Sequence, residues 1–175
     1  MKLLIFIVVG VVAALALLVG IVAVIGSRLP KSHVASRSIL LRRSPQEVYA
    51  VVRDFDSAPR WRADLKRIEV DAQPGGPVYF REEAKNGTVN YELVEDVPAQ
   101  RMMTRIRDTD LGYSGQWTYL FTPENGGTRV TIREDGEVSN VIFRFMSRYV
   151  FGQTATIDSY LSSLAKHFGE ATAPQ

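Results

Sequence analysis

Tyr113-Ser114-Gly115-Gln116-Trp117-Thr118-Tyr119-Leu120-Phe121-Thr122-Pro123-Glu124-Asn125-Gly126-Gly127-Thr128-Arg129-Val130-Thr131-Ile132 reads as two β-strands joined by a tight turn. Trp117, Tyr119 and Phe121 recur with period two and so share one face of a strand, as do Val130 and Ile132 on the next. Asn125-Gly126-Gly127 supplies the residues a hairpin needs between them. Upstream the same texture repeats. Segments 65–70, 78–83, 89–97 and 102–107 precede 113–122 and 128–138, separated by Gly75-Gly76-Pro77, Asn86-Gly87, Val97-Pro98-Ala99 and residues 108–112. Six strands at this spacing form an antiparallel meander. Val89, Tyr91 and Leu93 extend its single apolar side.

Ahead of the meander, residues 34–41 read as a further strand. Ser44-Pro45-Gln46-Glu47 combines an N-cap serine, a proline at the first helical position and a glutamate at the third, the pattern of a capping box. Val48, Val51, Val52 and Phe55 then mark one face of a short helix, ended or bent by residues 54–59. Behind the meander, Asn140 can cap a helix whose apolar face carries Ile142, Met146, Tyr149, Ile157, Tyr160, Leu161, Leu164 and Phe168. This spacing predicts one amphipathic helix of about 28 residues laid across the sheet, with a bend permitted at Gly152. Residues after Gly169 read as a frayed tail.

Residues 3–25 hold no charge and no Pro, Asn or Gln; only Gly10 and Gly20 interrupt a run of Leu, Ile, Val, Ala and Phe. About 20 apolar residues at about 1.5 Å each cross a hydrocarbon core of about 30 Å, so a single transmembrane helix is expected. The other meaning of such a segment, a cleaved signal peptide, fits less well: the run exceeds the about 7–15 residues of a signal h-region, and Val24-Ile25-Gly26 is a poor cleavage site. Arg28, Lys31, Arg37, Arg42 and Arg43 outnumber Lys2 and the terminal amine across the span, which points to a cytoplasmic C-terminal domain. The expected division is 1–26 anchor, 27–32 linker, 33–170 folded domain and 171–175 tail. Asn86-Gly87-Thr88 matches a glycosylation sequon, usable only in a secretory lumen; its simpler meaning is a hairpin turn.

The composition narrows function by exclusion. A formal charge of +2, without basic runs interleaved with aromatics, argues against nucleic acid as a partner. Zero cysteines exclude disulfides, thiolate catalysis and Cys-ligated metals. His33 and His167 are far apart with no ligand cluster around them, so no metal and no cofactor is expected. Ser114 lacks the G-x-S-x-G register of a hydrolase nucleophile, and the paired glycines lack the strand-to-helix context of a phosphate loop.

The order strand, short helices, six-strand meander, long C-terminal helix resembles an α+β helix-grip fold, a curved antiparallel sheet of about seven strands around the terminal helix. The residues themselves are similar to the SRPBCC superfamily, in its polyketide cyclase/dehydrase and lipid-transport branch related to START domains. Ser44-Pro45-Gln46-Glu47-Val48-Tyr49 with Asp54 and Trp61, Gly115-Gln116-Trp117-Thr118-Tyr119, Thr128-Arg129-Val130-Thr131-Ile132 with Glu134, and Tyr160-Leu161 carry the likeness, over about residues 33–170. The resemblance implies a cavity between sheet and helix for a hydrophobic small molecule such as a lipid, sterol, quinone or polyketide. It does not choose between carriage and catalysis. Trp61, Tyr91, Trp117 and Tyr119 are the aromatics expected to line such a cavity, with Glu134, Met146 and Tyr149.

Glu134 continues the inward alternation of Val130 and Ile132, where an unpaired carboxylate is costly, so a partner is expected. It is the candidate catalytic acid or base; the plainer alternative is that it reaches water at the cavity mouth. Arg105 falls on the outward parity of its strand, with an inward pairing to Glu134 left open by Met103. Arg144 and Arg148, with Phe143 and Phe151, fall on or beside the less buried face of the last helix, as a solvated surface or a contact with anionic headgroups. Three functions follow: a membrane-anchored binder or carrier of a hydrophobic molecule, a cyclase/dehydrase-type enzyme, or a tethered scaffold for a protein partner.

Overall fold

The computed structural model describes residues 1–85 and 87–175; the turn and sequon asparagine, Asn86, lies outside the described residues. Strands β1 (Ser32–Leu41), β2 (Leu65–Ala72), β3 (Val78–Ala84), β4 (Gly87–Val97), β5 (Arg101–Ile106), β6 (Tyr113–Glu124) and β7 (Gly127–Val138) make one antiparallel sheet. Its order, β1-β7-β6-β5-β4-β3-β2, is a meander from β2 to β7 whose last strand pairs with β1. Register runs from Ser32 opposite Glu137 to Leu41 opposite Thr128, which sets Ile39 beside Val130 and Arg37 beside Ile132 on the inner face.

The helix α2 (Pro45–Arg53) starts on its capping box: the Ser44 hydroxyl accepts from the Glu47 amide at 3.3 Å, and the Glu47 carboxylate accepts from the Ser44 amide at 2.9 Å. A 3-10 turn, Phe55–Arg60, follows and carries Pro59. Val48 and Val52 of α2 enter the core with Ile39, Leu41, Val130 and Ile132. Ile157, Leu161 and Leu164 close it from the helix α4 (Ala155–His167). Each fully buried aliphatic side chain of this set contributes about 1.5–3 kcal/mol, so the sheet and α4 hold one another.

The C-terminal helical region differs from the single helix expected. It divides into α3 (Val141–Met146), one π-helical turn (Ser147–Phe151) and α4, and the break falls at Gly152, whose φ of +80° no continuing helix allows. Only α4 covers the sheet. Val141 and Phe145 of α3 instead meet α1 (Lys2–Arg28), whose Gly26 is buried against the Val141 carbonyl, where any Cβ would collide.

Arg144 is the second correction. Neither solvated nor free for headgroups, it is buried and donates to four backbone carbonyls: Gly26 at 3.2 Å, Leu29 at 2.8 Å, Val138 at 3.1 Å and Ser139 at 3.0 Å. Two of these belong to the C-terminal end of α1, where carbonyls lack helical partners and a cation complements the helix dipole. Residues 29–31 join the end of α1 to β1, and the Val138 amide donates to the Lys31 carbonyl at 2.9 Å. The tail is also tied down rather than frayed: Gln175 and Ser38 exchange backbone hydrogen bonds of 2.9 Å each, and Glu170 accepts from the Arg42 amide at 2.9 Å.

Candidate functional site on the concave face

Strand register dictates which side chains face α4. One cross-strand row runs Arg37, Ile132, Tyr119, Met102; the next runs Ala35, Glu134, Trp117, Thr104, Leu93, Val78. Toward the far edge, Tyr91 lies opposite Phe80, and Glu82 lies opposite Val89. Trp61, which ends the 3-10 turn, meets this surface from above. Around Tyr160 of α4 the rings of Trp61, Trp117 and Tyr119 gather at centroid distances of 5.3, 5.9 and 5.7 Å, while Phe80 and Tyr91 stack at 5.0 Å. Four of the seven expected lining residues, Trp61, Tyr91, Trp117 and Tyr119, thus fall in one aromatic patch. The space between the sheet and the middle of α4 is occupied by these rings.

Two charged groups lie within that patch that the sequence reading passed over. Arg62 grips Glu82 through both amino groups, at 2.6 and 3.2 Å, and reaches Asp64 at 2.7 Å; its guanidinium lies over the Tyr160 ring at 5.0 Å. The side chains are only 11% and 13% exposed, which makes this a buried ion pair rather than a surface one. Burial works against the charge on Arg62, and the Glu82 and Asp64 carboxylates more than offset it, so the guanidinium stays charged. Burial pushes the Glu82 carboxyl up, with Arg62 pulling against the rise. Burial likewise raises the Tyr91, Tyr119 and Tyr160 hydroxyls, which therefore remain protonated near neutrality and can donate hydrogen bonds. Among the described residues, the Trp61 indole N–H is a buried donor without a protein partner.

Glu134 faces inward as its parity requires, and its partner is His33, whose Nε2 lies 3.2 Å from Oε1. His33 occupies the space over Gly136 that a side chain there would fill. The pair sits between Ala35 and Trp117, and Tyr119 lies near enough to Glu134 to feel its charge. An inward Arg105–Glu134 pair does not form: Arg105 is outside, 52% exposed, and bound to Glu92 at 2.9 Å. Met146 and Tyr149 lie on α3 and the π turn, outside the core cluster, and Tyr149 is 60% exposed beside Phe145. His167 approaches the Trp61 ring at 6.1 Å, remote in the fold from His33. A cleft of about 420 Å³ crosses β1, β7, β6 and β5, but its walls, Val34, Arg105, Gln116 and Asp135, have the outward parity, so it belongs to the other face.

The alternation that singles out Glu134 also applies to Glu82, two and four residues beyond the inward Phe80 and Val78. Arg62 had no such signal, because its place is set by how the 3-10 turn lands on the sheet.

A seven-stranded antiparallel sheet with a helix against its concave face defines a START-like fold. The family profile for polyketide cyclase / dehydrase and lipid transport matches residues 32–169, and the chain belongs to that family. Solved structures show the same fold at low identity. A START superfamily protein from Mycobacterium smegmatis is 16% identical, with 77% of this chain and 96% of that one covered and a TM-score of 0.63. The Zhui aromatase/cyclase from Streptomyces sp. R1128 is 12% identical, with 78% and 93% covered and a TM-score of 0.66. Norcoclaurine synthase from Thalictrum flavum is 10% identical, with 79% and 87% covered and a TM-score of 0.62. None of the curated proteins compared with the chain matches it.

Proposed function

We propose that the protein is a bilayer-anchored binder of an apolar small molecule bearing a carbonyl or hydroxyl group, held on the concave face where Trp117 and Tyr91 lie. The observation that carries this is the composition of that patch: stacked aromatic walls with a few convergent donors, namely tyrosine hydroxyls kept protonated, a charged Arg62 and an unpartnered Trp61 indole. Because rings fill the middle under α4, this reading puts the ligand beyond them, beside the half-buried Val89, Tyr91, Ile106 and Tyr113. The division into anchor (1–26), linker (27–32), binding domain (33–170) and tail (171–175) belongs to this reading. Helix α1 is long and apolar enough to cross a membrane and, clamped to α3 through Arg144, would keep the site beside the phase in which such a ligand dissolves.

The test is extraction of the full chain purified in mild detergent, followed by mass spectrometry of the organic phase. An apolar species enriched over membrane background, and depleted in Trp117→Ala, is expected; extracts indistinguishable from background in both proteins would refute the proposal. The His33–Glu134 pair favours a second reading, an acid/base enzyme of the cyclase/dehydrase kind, since tyrosines held protonated cannot serve as bases whereas an imidazole in contact with a carboxylate is a general acid/base set. Under it, Glu134→Gln abolishes turnover of a polyketide-like substrate while binding persists. A substrate bound but never turned over by the native chain removes this second reading.

A further inference from the structure

Among the described residues after α1, five of the nine exposed large apolar side chains fall in one short segment, the other four, Val34, Val94, Val97 and Leu120, being scattered over the sheet. Ile142, Phe143, Tyr149, Val150 and Phe151 are all exposed on α3 and the π turn, a density of apolar surface unusual for water-facing helix. What lies beside them fixes what covers them. Along α1 the residues shielded by the domain are Val22, Ala23, Gly26 and Leu29, spaced as one helical face. These belong to the last two turns of the apolar run and the residues just after it, so α3 packs at the level where α1 leaves its apolar stretch, Phe145 lying against Gly26. At about 1.5 Å per residue, Val22 is only about 5 Å deeper than Ile25, the last apolar residue of the run. Arg144 makes this placement rigid through its bonds to the Gly26, Leu29, Val138 and Ser139 carbonyls. Arg28, Lys31 and Arg148 surround the same level with exposed positive charge, as headgroup contact requires.

We infer that the Val141–Phe151 region is a second membrane contact, an interfacial wedge locked to the end of α1 that beds its aromatic and aliphatic side chains at the boundary between phospholipid headgroups and acyl chains. The inference rests on α1 spanning the bilayer, as in the proposed function. Given that span, the wedge is held at interfacial depth by packing, and its exposed groups are those that favour this depth. Two contacts instead of one hold the domain in a single orientation on the membrane. They also explain why the helical region leaves the sheet at Gly152: the face that would have covered the sheet is committed to α1 and lipid.

The chain has no cysteine, so single labels can be placed without background. Val150→Cys, Leu15→Cys and Thr172→Cys, each carrying an environment-sensitive dye, are reconstituted as full chains in 3:1 phosphatidylcholine/phosphatidylglycerol vesicles containing either shallow or deep spin-labelled lipid. Thr172 lies by Arg42, at the opposite end of β1 from the anchor. The expected result is loss of roughly half the position-150 emission with the shallow quencher and a blue shift, quenching of position 15 by the deep one, and no effect at position 172. Quenching at 15 with water-like, unquenched emission at 150 overturns the wedge while leaving the anchor standing. No quenching at position 15 overturns both.

Discussion

Replacing Arg62 by methionine tests the polar half of the concave face. The substitution keeps the apolar stem of the side chain and removes the guanidinium that binds the Glu82 and Asp64 carboxylates. Glu82, 13% exposed, would be left buried opposite Val89 and Ile68, a situation that costs about 3–5 kcal/mol when one member of a buried pair is removed. The sign of the pH dependence follows from the carboxyl. Its folded-state pKa is already raised by burial, and losing Arg62 raises it further, so the folded protein binds the proton more tightly than the unfolded chain. The penalty is therefore small below the ordinary glutamate value of 4.5 and grows as pH rises through the raised one. Denaturant unfolding of the full chain in detergent, followed by far-UV circular dichroism between pH 4 and 8, measures it. Arg62→Met with Glu82→Leu should recover most of the loss and flatten the profile. A single variant that loses under about 1 kcal/mol at pH 7, with no trend in pH, would show that the pair is not buried as described.

Ser44→Ala removes the hydroxyl that caps α2 and should cost about 1 kcal/mol in the same assay, with Ser44→Thr largely neutral; an unchanged midpoint would deny the capping box an energetic role. Arg144→Leu strands the Val138 and Gly26 carbonyls in a buried setting at about 1–3 kcal/mol each, and should speed amide hydrogen exchange at the α1–β1 junction before it affects β5 or β6. Uniform exchange across the domain would mean that Arg144 is not a local clamp.

Why some elements were legible and others not follows from what a one-dimensional pattern contains. The strands from β2 to β7 alternate with period two and are separated by glycine-containing or polar turns, both local properties, so their existence could be read from residues such as Trp117, Tyr119 and Asn125-Gly126. The capping box is equally local. The break in the C-terminal helical region was not legible as such. Ile142 and Met146 continue the helical period into Ile157 and Leu161, and periodicity reports an apolar face without saying whether the sheet covers it. Gly152 signalled the permission to turn, while the cause, the fit of Val141 against Gly26, joins residues at opposite ends of the chain. Arg144 was misread for the same reason, its carbonyl partners at Gly26 and Leu29 being more than 100 residues away. In the site, the inward parity of Glu134 could be read directly, its partner His33 could not, and Glu82 obeyed the same rule unnoticed.

Trp61 and Trp117 are the only tryptophans in the chain, and both lie in the concave aromatic patch, so intrinsic emission reports the proposed site directly. The decisive measurement is titration of the full chain in lipid nanodiscs with an apolar naphthoquinone, a quencher of the predicted chemistry. A concave-face site predicts saturable quenching with a stoichiometry near one, and in Trp117→Phe a smaller quenchable signal, that of Trp61, which still saturates. Quenching that rises linearly with quinone, without saturation and equally in both proteins, would contradict it.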